Sequence, residues 1–205
     1  MPLVYPPLQE ESILFIGLNP SFSDKGFRTI LADTPYASIS PREFFHWRNR
    51  SKFDMTTAIA IEKSAKKKYR FFAKFRDISD YVEVPWEHID LFFYRQTSQN
   101  KFRPIVLKKD GINEFGGKQL VLSKTLIEAV RPQIIVVANA LAAQIFQKEF
   151  DPKFDEELGC HVAALNEQFV PVFLASMLTG QRAMDTYSYQ RLKWHIRHVH
   201  RRAIK

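Results

Sequence analysis

The sequence predicts an α/β fold: a single domain over residues 1–205, built as three α/β/α layers around a central sheet of four parallel strands. Three observations carry this. Four short apolar runs rich in β-branched or aromatic residues are spread along the chain, at Ile13–Ile16, His88–Phe93, Gln133–Val137 and Val170–Ala175. Such runs read as strands covered on both faces. Helical patterns lie between them, and strands alternating with helices imply crossover units and a parallel sheet. No repeat and no linker-like stretch interrupts the chain.

The first strand is followed by Ser21–Phe53, a long segment with Pro35, Pro41 and little periodicity, expected to be a loop. A helix is predicted from Thr56 to about Arg76, with Ile61, Ala65, Tyr69 and Phe72 at three- and four-residue spacing. After the second strand, Gln96–Gly117 is basic and then glycine-containing, and reads as a second loop. Lys118–Val130 carries Leu122, Leu126 and Ile127 at helical spacing, and Arg131-Pro132 stops that helix before the third strand. Asn139–Phe150 and Asp185–Ala203 are the remaining helices, the latter carrying Leu192, Ile196, Val199 and Ala203 at helical spacing, with the first three facing in. Loops at the strand ends of open α/β sheets are where their sites lie.

Composition narrows the class. Apolar residues at 45% and charged residues at 25% are ordinary for a globular domain, and only 7 glycines exclude a glycine-rich linker protein. Lys plus Arg outnumber Asp plus Glu, 30 to 22, for a net charge of +8, which favours a polyanionic partner. The single cysteine, Cys160, allows no internal disulfide and no all-cysteine metal site. Met1–Ser12 has no apolar signal core, and the longest apolar stretch, Ile134–Ala143, is too short to span a bilayer. A soluble, cytoplasmic monomer without a membrane partner is expected.

The chemistry is expected at Gly17-Leu18-Asn19-Pro20-Ser21, where the first strand ends. Gly17 permits a close backbone approach. Pro20 biases Asn19 away from the helical region, holding its amide at the carboxyl edge of the sheet. That amide both donates and accepts, so it can position a water or hold a polar ring edge. The plain alternative is an Asn-Pro turn, common after strands.

This motif resembles the first motif of the uracil-DNA glycosylase superfamily, closest to the mismatch-specific uracil/thymine branch and the single-strand-selective branch, which carry G-[IM]-N-P-G. Three further segments are similar in order and spacing. His88-Ile89-Asp90-Leu91-Phe92-Phe93-Tyr94-Arg95 falls where the family has its second strand with a base-reading Asn. Arg131 to Ala140 is similar to the family's third strand-to-helix segment. Val172-Phe173-Leu174-Ala175-Ser176-Met177-Leu178-Thr179-Gly180 falls at its last strand and DNA-inserting loop, without the His-Pro-Ser common there.

The resemblance implies a metal-free, cofactor-free base-excision repair enzyme that hydrolyses the N-glycosidic bond of a flipped uracil or other damaged or mismatched base in DNA. Asn19 would be the catalytic residue that positions water. The backbone around Gly17, Leu18 and Ser21 would face the base, and Phe22, Phe27 or Tyr36 would stack on it. Asp90 would stand at the base-reading position. An ionised carboxylate there accepts from a ring N–H but cannot donate to a carbonyl, so it would read uracil differently from the family's Asn. Its structural alternative is a strand-end residue capping a loop. Met177, Leu178, Thr179, Gly180, Gln181 and Arg182 would form the loop that enters the duplex. The alternative reading is a catalytically inactive protein on the same fold that binds nucleic acid or a base. A third is a small-molecule enzyme on a doubly wound sheet.

Two basic segments suit a nucleic-acid partner. Lys63–Arg76 interleaves seven basic residues with four aromatics, with lysines outward and Ala65, Tyr69 and Phe72 inward. The C-terminal helix carries Arg191, Lys193, Arg197, Arg201 and Arg202. Its histidines, His195, His198 and His200, do not share one helical face, so they read as basic surface rather than metal ligands.

Overall fold

The computed structural model describes residues 5–21, 23–44, 46, 54–166, 168–180 and 182–203. The chain falls into two compact units. One is built from the described residues of 1–7, 19–72 and 92–121; the other from those of 8–18, 73–91 and 122–205.

The second unit holds the main sheet, which is mixed α/β in architecture and mostly parallel. Its strands are β1 (Ile13–Gly17), β2 (Trp86–Asp90), β5 (Ile134–Ala138), β6 (Lys153–Asp155), β7 (Cys160–Leu165) and β8 (Gln168–Ala175), in the order β2-β1-β5-β8-β7-β6. The four parallel strands are those expected, but the sheet has six. Residues 153–165 add two antiparallel strands: β7 pairs with β8, and β6 pairs with β7 at the edge. Short strands with mixed patterning, such as Lys153-Phe154-Asp155, give no periodic signal of their own.

β1 is central. Ile13, Leu14, Phe15 and Ile16 are wholly inaccessible to solvent, and β1 pairs in register with β2 on one side and β5 on the other. Helices α4 (Ala73–Val82), α7 (Ala140–Phe150) and α8 (Thr186–Ala203) belong to the same unit. Phe15, Val136 and Phe173 are register partners and share one face. Phe75 of α4 stacks on Phe15 at 4.3 Å, and His195 of α8 meets Phe173 edge-on at 5.1 Å, so α4 and α8 cover that face. α7 packs on β5 and β8. Its N-cap is Asn139, whose side chain accepts from the N–H groups of Leu141 and Ala142.

The second strand, expected over His88–Phe93, starts two residues earlier and ends three earlier, at Trp86–Asp90. It ends at Asp90 because β1 ends opposite, at Gly17; the Leu91 N–H bonds the Gly17 carbonyl at 3.0 Å and the ladder stops. The helix expected over 56–76 is broken. α3 (Met55–Lys68) ends at Tyr69, whose backbone is extended, a 3-10 turn spans Arg70–Phe72, and α4 begins at Ala73. α6 (Glu114–Val130) starts one turn before the expected Lys118; of the residues that carry its spacing, Ile127 is fully buried and Leu122 is 55% exposed. It ends where Arg131-Pro132 requires, with Arg131 in the left-handed region.

The first unit fills both segments that read as loops. Ser21–Phe53 contains α1 (Asp24–Leu31) and α2 (Pro41–Phe44). Ser23 caps α1 by accepting from the Gly26 N–H, and Asp24 pairs with Arg28 one turn on. Gln96–Gly117 contains α5 (Gln99–Val106) and an antiparallel pair, β3 (Leu107–Lys108) and β4 (Gly111–Ile112). The unit's core joins Phe27, Ile30 and Leu31 of α1 to Ala58, Ile61 and Ala65 of α3. Among the described residues no helix is long and apolar enough to cross a membrane.

In the second unit, α4 and α8 are tied by Asp77. The Tyr189 hydroxyl donates to its carboxylate, and Lys193 Nζ lies 3.2 Å away. Burial works to raise the Asp77 carboxyl, but the hydrogen bonds from Tyr189 and Lys193, with the charges of Lys193 and Lys74, hold it below the usual carboxylate range. A depressed acid stabilises the fold above its unfolded pKa, and that stabilisation is lost as pH falls through the folded value. Asp77→Asn is therefore expected to lower stability at neutral pH by at most ~1 kcal/mol, since the group is half exposed. The difference from the unaltered protein should vanish in acid, as read by urea denaturation across pH.

Candidate functional site

In open α/β sheets, sites lie outside the carboxyl ends of strands where the strand order reverses. Here the chain runs from β1 to β2 on one side and to β5 on the other, so the reversal lies between β1 and β5. The carboxyl ends concerned are Gly17-Leu18 and Ala138-Asn139. The amide of Asn139 is used as a helix cap. The segment after β1 is thus the candidate; Gly17 and Leu18 belong to the sheet unit and Asn19 to the other.

On the sheet side, Gly17 and Asp90 are register partners and come together. A Cβ at Gly17 would overlap Asp90 Oδ1 and lie 3.2 Å from His88 Nε2. The carboxylate occupies the space that a side chain at Gly17 would fill. Asp90 is buried, with Oδ1 3.8 Å from His88 Nε2, and the His88 ring lies 5.6 Å from that of Phe75. This is why the sequence needs glycine at 17: its use is steric accommodation of Asp90. Leu18 is buried, so its side chain belongs to the core.

In the other unit, Asn19 is held by its Nδ2. Its two N–H groups are shared among three carbonyls, those of Gln96 at 2.7 Å, Pro20 at 3.2 Å and Tyr94 at 3.3 Å. All three partners are acceptors, so the network itself fixes which end of the amide is nitrogen. No hydrogen bond from a described residue reaches Oδ1, leaving an acceptor of fixed direction. The Gln96 N–H donates to the Pro20 carbonyl at 3.0 Å, closing the two segments on each other. Ser21 is exposed.

The Tyr94–Gln96 segment is anchored by Arg95. Its guanidinium is buried, pairs with Glu62 of α3 and lies 5.9 Å from the Phe27 ring. Burial pushes the Glu62 carboxyl up, and the charge of Arg95 opposes it. Such a pair gives little net stability, but removing one partner strands a buried charge. It fixes where the carbonyls that hold Asn19 lie.

Of the three rings expected to stack on a base, Phe27 does not stand free: it lies in the core of its unit, facing Arg95. Tyr36 packs on the same core, half buried, and Phe22 lies outside the described residues. A ring the sequence reading missed is Tyr94. It is exposed, its carbonyl accepts from Asn19, and its ring meets Phe115 edge-on at 6.3 Å. The signal was its place directly after the second strand.

The loop after β8 belongs to the sheet unit. It is folded back by bonds from the Met184 N–H to the Met177 carbonyl (2.9 Å) and from the Ala183 N–H to the Gly180 carbonyl (3.2 Å). Gly180 has φ +93°, a region that disfavours side chains. Leu178 is 3% exposed, so it anchors the loop rather than projecting from it. Met177 and Thr179 are half buried and Arg182 is exposed; Gln181 lies outside the described residues. Burial, with the charge of Asp155, pushes the Cys160 thiol up to about 11, which disfavours the thiolate at neutral pH. Among the described residues no group of three or more His, Cys, Asp or Glu could hold a metal ion.

No family model and no curated protein matches the chain.

Gly17→Ala is expected to destabilise by about 1–3 kcal/mol, because the new methyl must displace a buried carboxylate. Asp90→Ala in the same chain should recover part of that loss. The measurement is a double-mutant cycle in denaturant; additive effects would show that the two residues do not share that space.

Proposed function

We propose that this protein is a DNA glycosylase of the kind its motifs resemble, removing a flipped base by hydrolysis of the N-glycosidic bond. The observation that carries the reading is Asn19, clamped through Nδ2 by three carbonyls with Oδ1 left as an oriented acceptor. Oδ1 would accept a hydrogen bond from a water and aim its oxygen at C1′ of the sugar. As the water adds, the C1′–N bond breaks, the base leaves with the electron pair, and the proton the water gives up passes through solvent to the base anion. The sugar carries positive character in that transition state, so positioning matters more than deprotonation of the water. The base must first leave the stack, at a cost of roughly a few kcal/mol that is smallest for a damaged or mismatched pair.

Other features support the reading. The resembling segments lie at the carboxyl ends of β1, β2, β5 and β8, where a sheet of this kind binds its ligands. Tyr94 supplies an exposed ring for the base in place of Phe27. Arg182 supplies an exposed cation on the loop assigned to the duplex, and the net charge of +8 suits a phosphate backbone.

One observation favours a second reading, a protein of the same fold that binds nucleic acid without cleaving it. Asp90 is packed against Gly17 beside His88, so the position assigned to base reading is already engaged in the strand ends.

The two are separated by alkali scission of end-labelled oligonucleotides carrying uracil opposite guanine, uracil in single strands, thymine opposite guanine, or hypoxanthine. The glycosylase reading expects abasic sites from the unaltered protein and a loss of about 100-fold or more in Asn19→Ala, the scale of a lost positioning group. A thermal melt accompanies the variant, because losing the amide's bonds costs about 1–3 kcal/mol. Salt-sensitive binding with no product on any substrate would leave the second reading.

A further inference from the structure

We infer that the outer face of α8 is a stacking platform for single-stranded nucleic acid, separate from the Asn19 segment. Successive residues of a helix turn by about 100°. Tyr187, Arg191, Trp194, His198, Arg201 and Arg202 therefore fall within one stripe about 100° wide. Tyr187 is 75% and Trp194 58% exposed, and Arg191, His198, Arg201 and Arg202 are exposed too. Trp194 and His198, four residues apart, lie nearly parallel at 5.0 Å and 13°, forming a preorganised flat surface.

The rest of the helix is otherwise engaged. Ile196 and Val199 are fully buried, and His195 Nε2 lies 2.7 Å from the Leu158 carbonyl. Lys193 and Arg197 sit over the Tyr81 ring at 4.9 and 4.7 Å, and His200 bonds Gln133. Arg202 also donates to the Glu157 carbonyl, at 2.9 Å.

A solvated helix face explains part of this pattern but not all of it. Arg201 and Arg202 complement the negative end of the helix dipole. That argument does not reach Arg191 in the middle, nor Tyr187 and Trp194. Single exposed rings are ordinary, but here two large rings and a stacked imidazole align on one stripe. The eighteen residues of the helix include no acidic side chain to offset the cations. Cations along a row of exposed rings match a chain whose phosphates alternate with flat, unpaired bases. Tyr187, Trp194 and Arg201 follow at seven-residue intervals, about 10 Å apart along the axis, so the stripe spans several nucleotides. A duplex keeps its bases stacked on each other and offers only phosphates to these rings.

The test is fluorescence anisotropy of a labelled single-stranded oligothymidine of about twelve nucleotides, within the usual site sizes, titrated with the full chain across salt concentration. Trp194→Ala is expected to weaken binding about 5- to 100-fold, the range for one lost stacking partner. Trp194→Phe, which keeps a ring, should retain most of the affinity, and Arg191→Ala should flatten the salt slope by roughly 0.7. Affinity unchanged in Trp194→Ala, no binding by the unaltered protein, or a duplex of equal length bound as tightly would each overturn the assignment. The readout is binding to undamaged thymidine, so it stands apart from base release. Cleavage with Trp194-independent binding would sink this inference alone; Trp194-dependent binding with no cleavage would sink the glycosylase reading alone.

Discussion

The burial of β1 is the constraint from which the rest of the fold follows. Four consecutive residues, Ile13–Ile16, have no contact with solvent. A strand in that position must hydrogen-bond on both edges, because an unpaired backbone group away from water costs about as much as a lost hydrogen bond. β2 and β5 supply the two edges in parallel register. Parallel neighbours cannot be joined by a tight turn, so long connections are forced. Much of the chain outside the sheet unit runs between β1 and β2, including α1 and α3. The reversal of strand order beside β1 in turn makes its carboxyl end the place where a ligand site belongs.

The two sides of the motif do different physical work. Gly17 is defined by what it lacks, since Asp90 takes the volume of its missing side chain. Asn19 is defined by what it donates, since three carbonyls orient its amide. Those carbonyls are held in turn by a segment pinned through the buried Arg95–Glu62 pair. A positioned acceptor requires that kind of support, because a loosely held amide would lose its orientation to solvent. The Asn-Pro turn and the functional reading of Asn19 are compatible: the turn is how the amide is placed.

The basic, aromatic-rich segments of the sequence turn out to be of two kinds. In Lys63–Arg76, Lys63, Lys67, Lys68 and Arg70 are exposed, while Tyr69 and Phe72 pack among neighbouring rings and Lys74 covers the Tyr189 ring at 3.8 Å. Cation–π contacts and packing account for much of that pattern. On α8 the rings themselves face outward, and there a packing account does not suffice.

The sequence by itself determined the α/β class, the four parallel strands and the placing of the glycine–asparagine motif at the end of the first. These follow from local periodicity and turn chemistry, which a window of ten or so residues contains. The Arg131-Pro132 stop was legible for the same reason. Only the tertiary structure decided the rest. β7 joins the sheet on the edge that β8 offers, and β6 pairs with β7 in turn. α1 forms because Phe27, Ile30 and Leu31 meet α3, and that contact takes Phe27 out of the stacking role. The clamp on Asn19 joins residues more than seventy positions apart, and the steric claim of Asp90 on Gly17 spans a similar distance. No one-dimensional spacing encodes such contacts, because they arise only when the strands lie side by side.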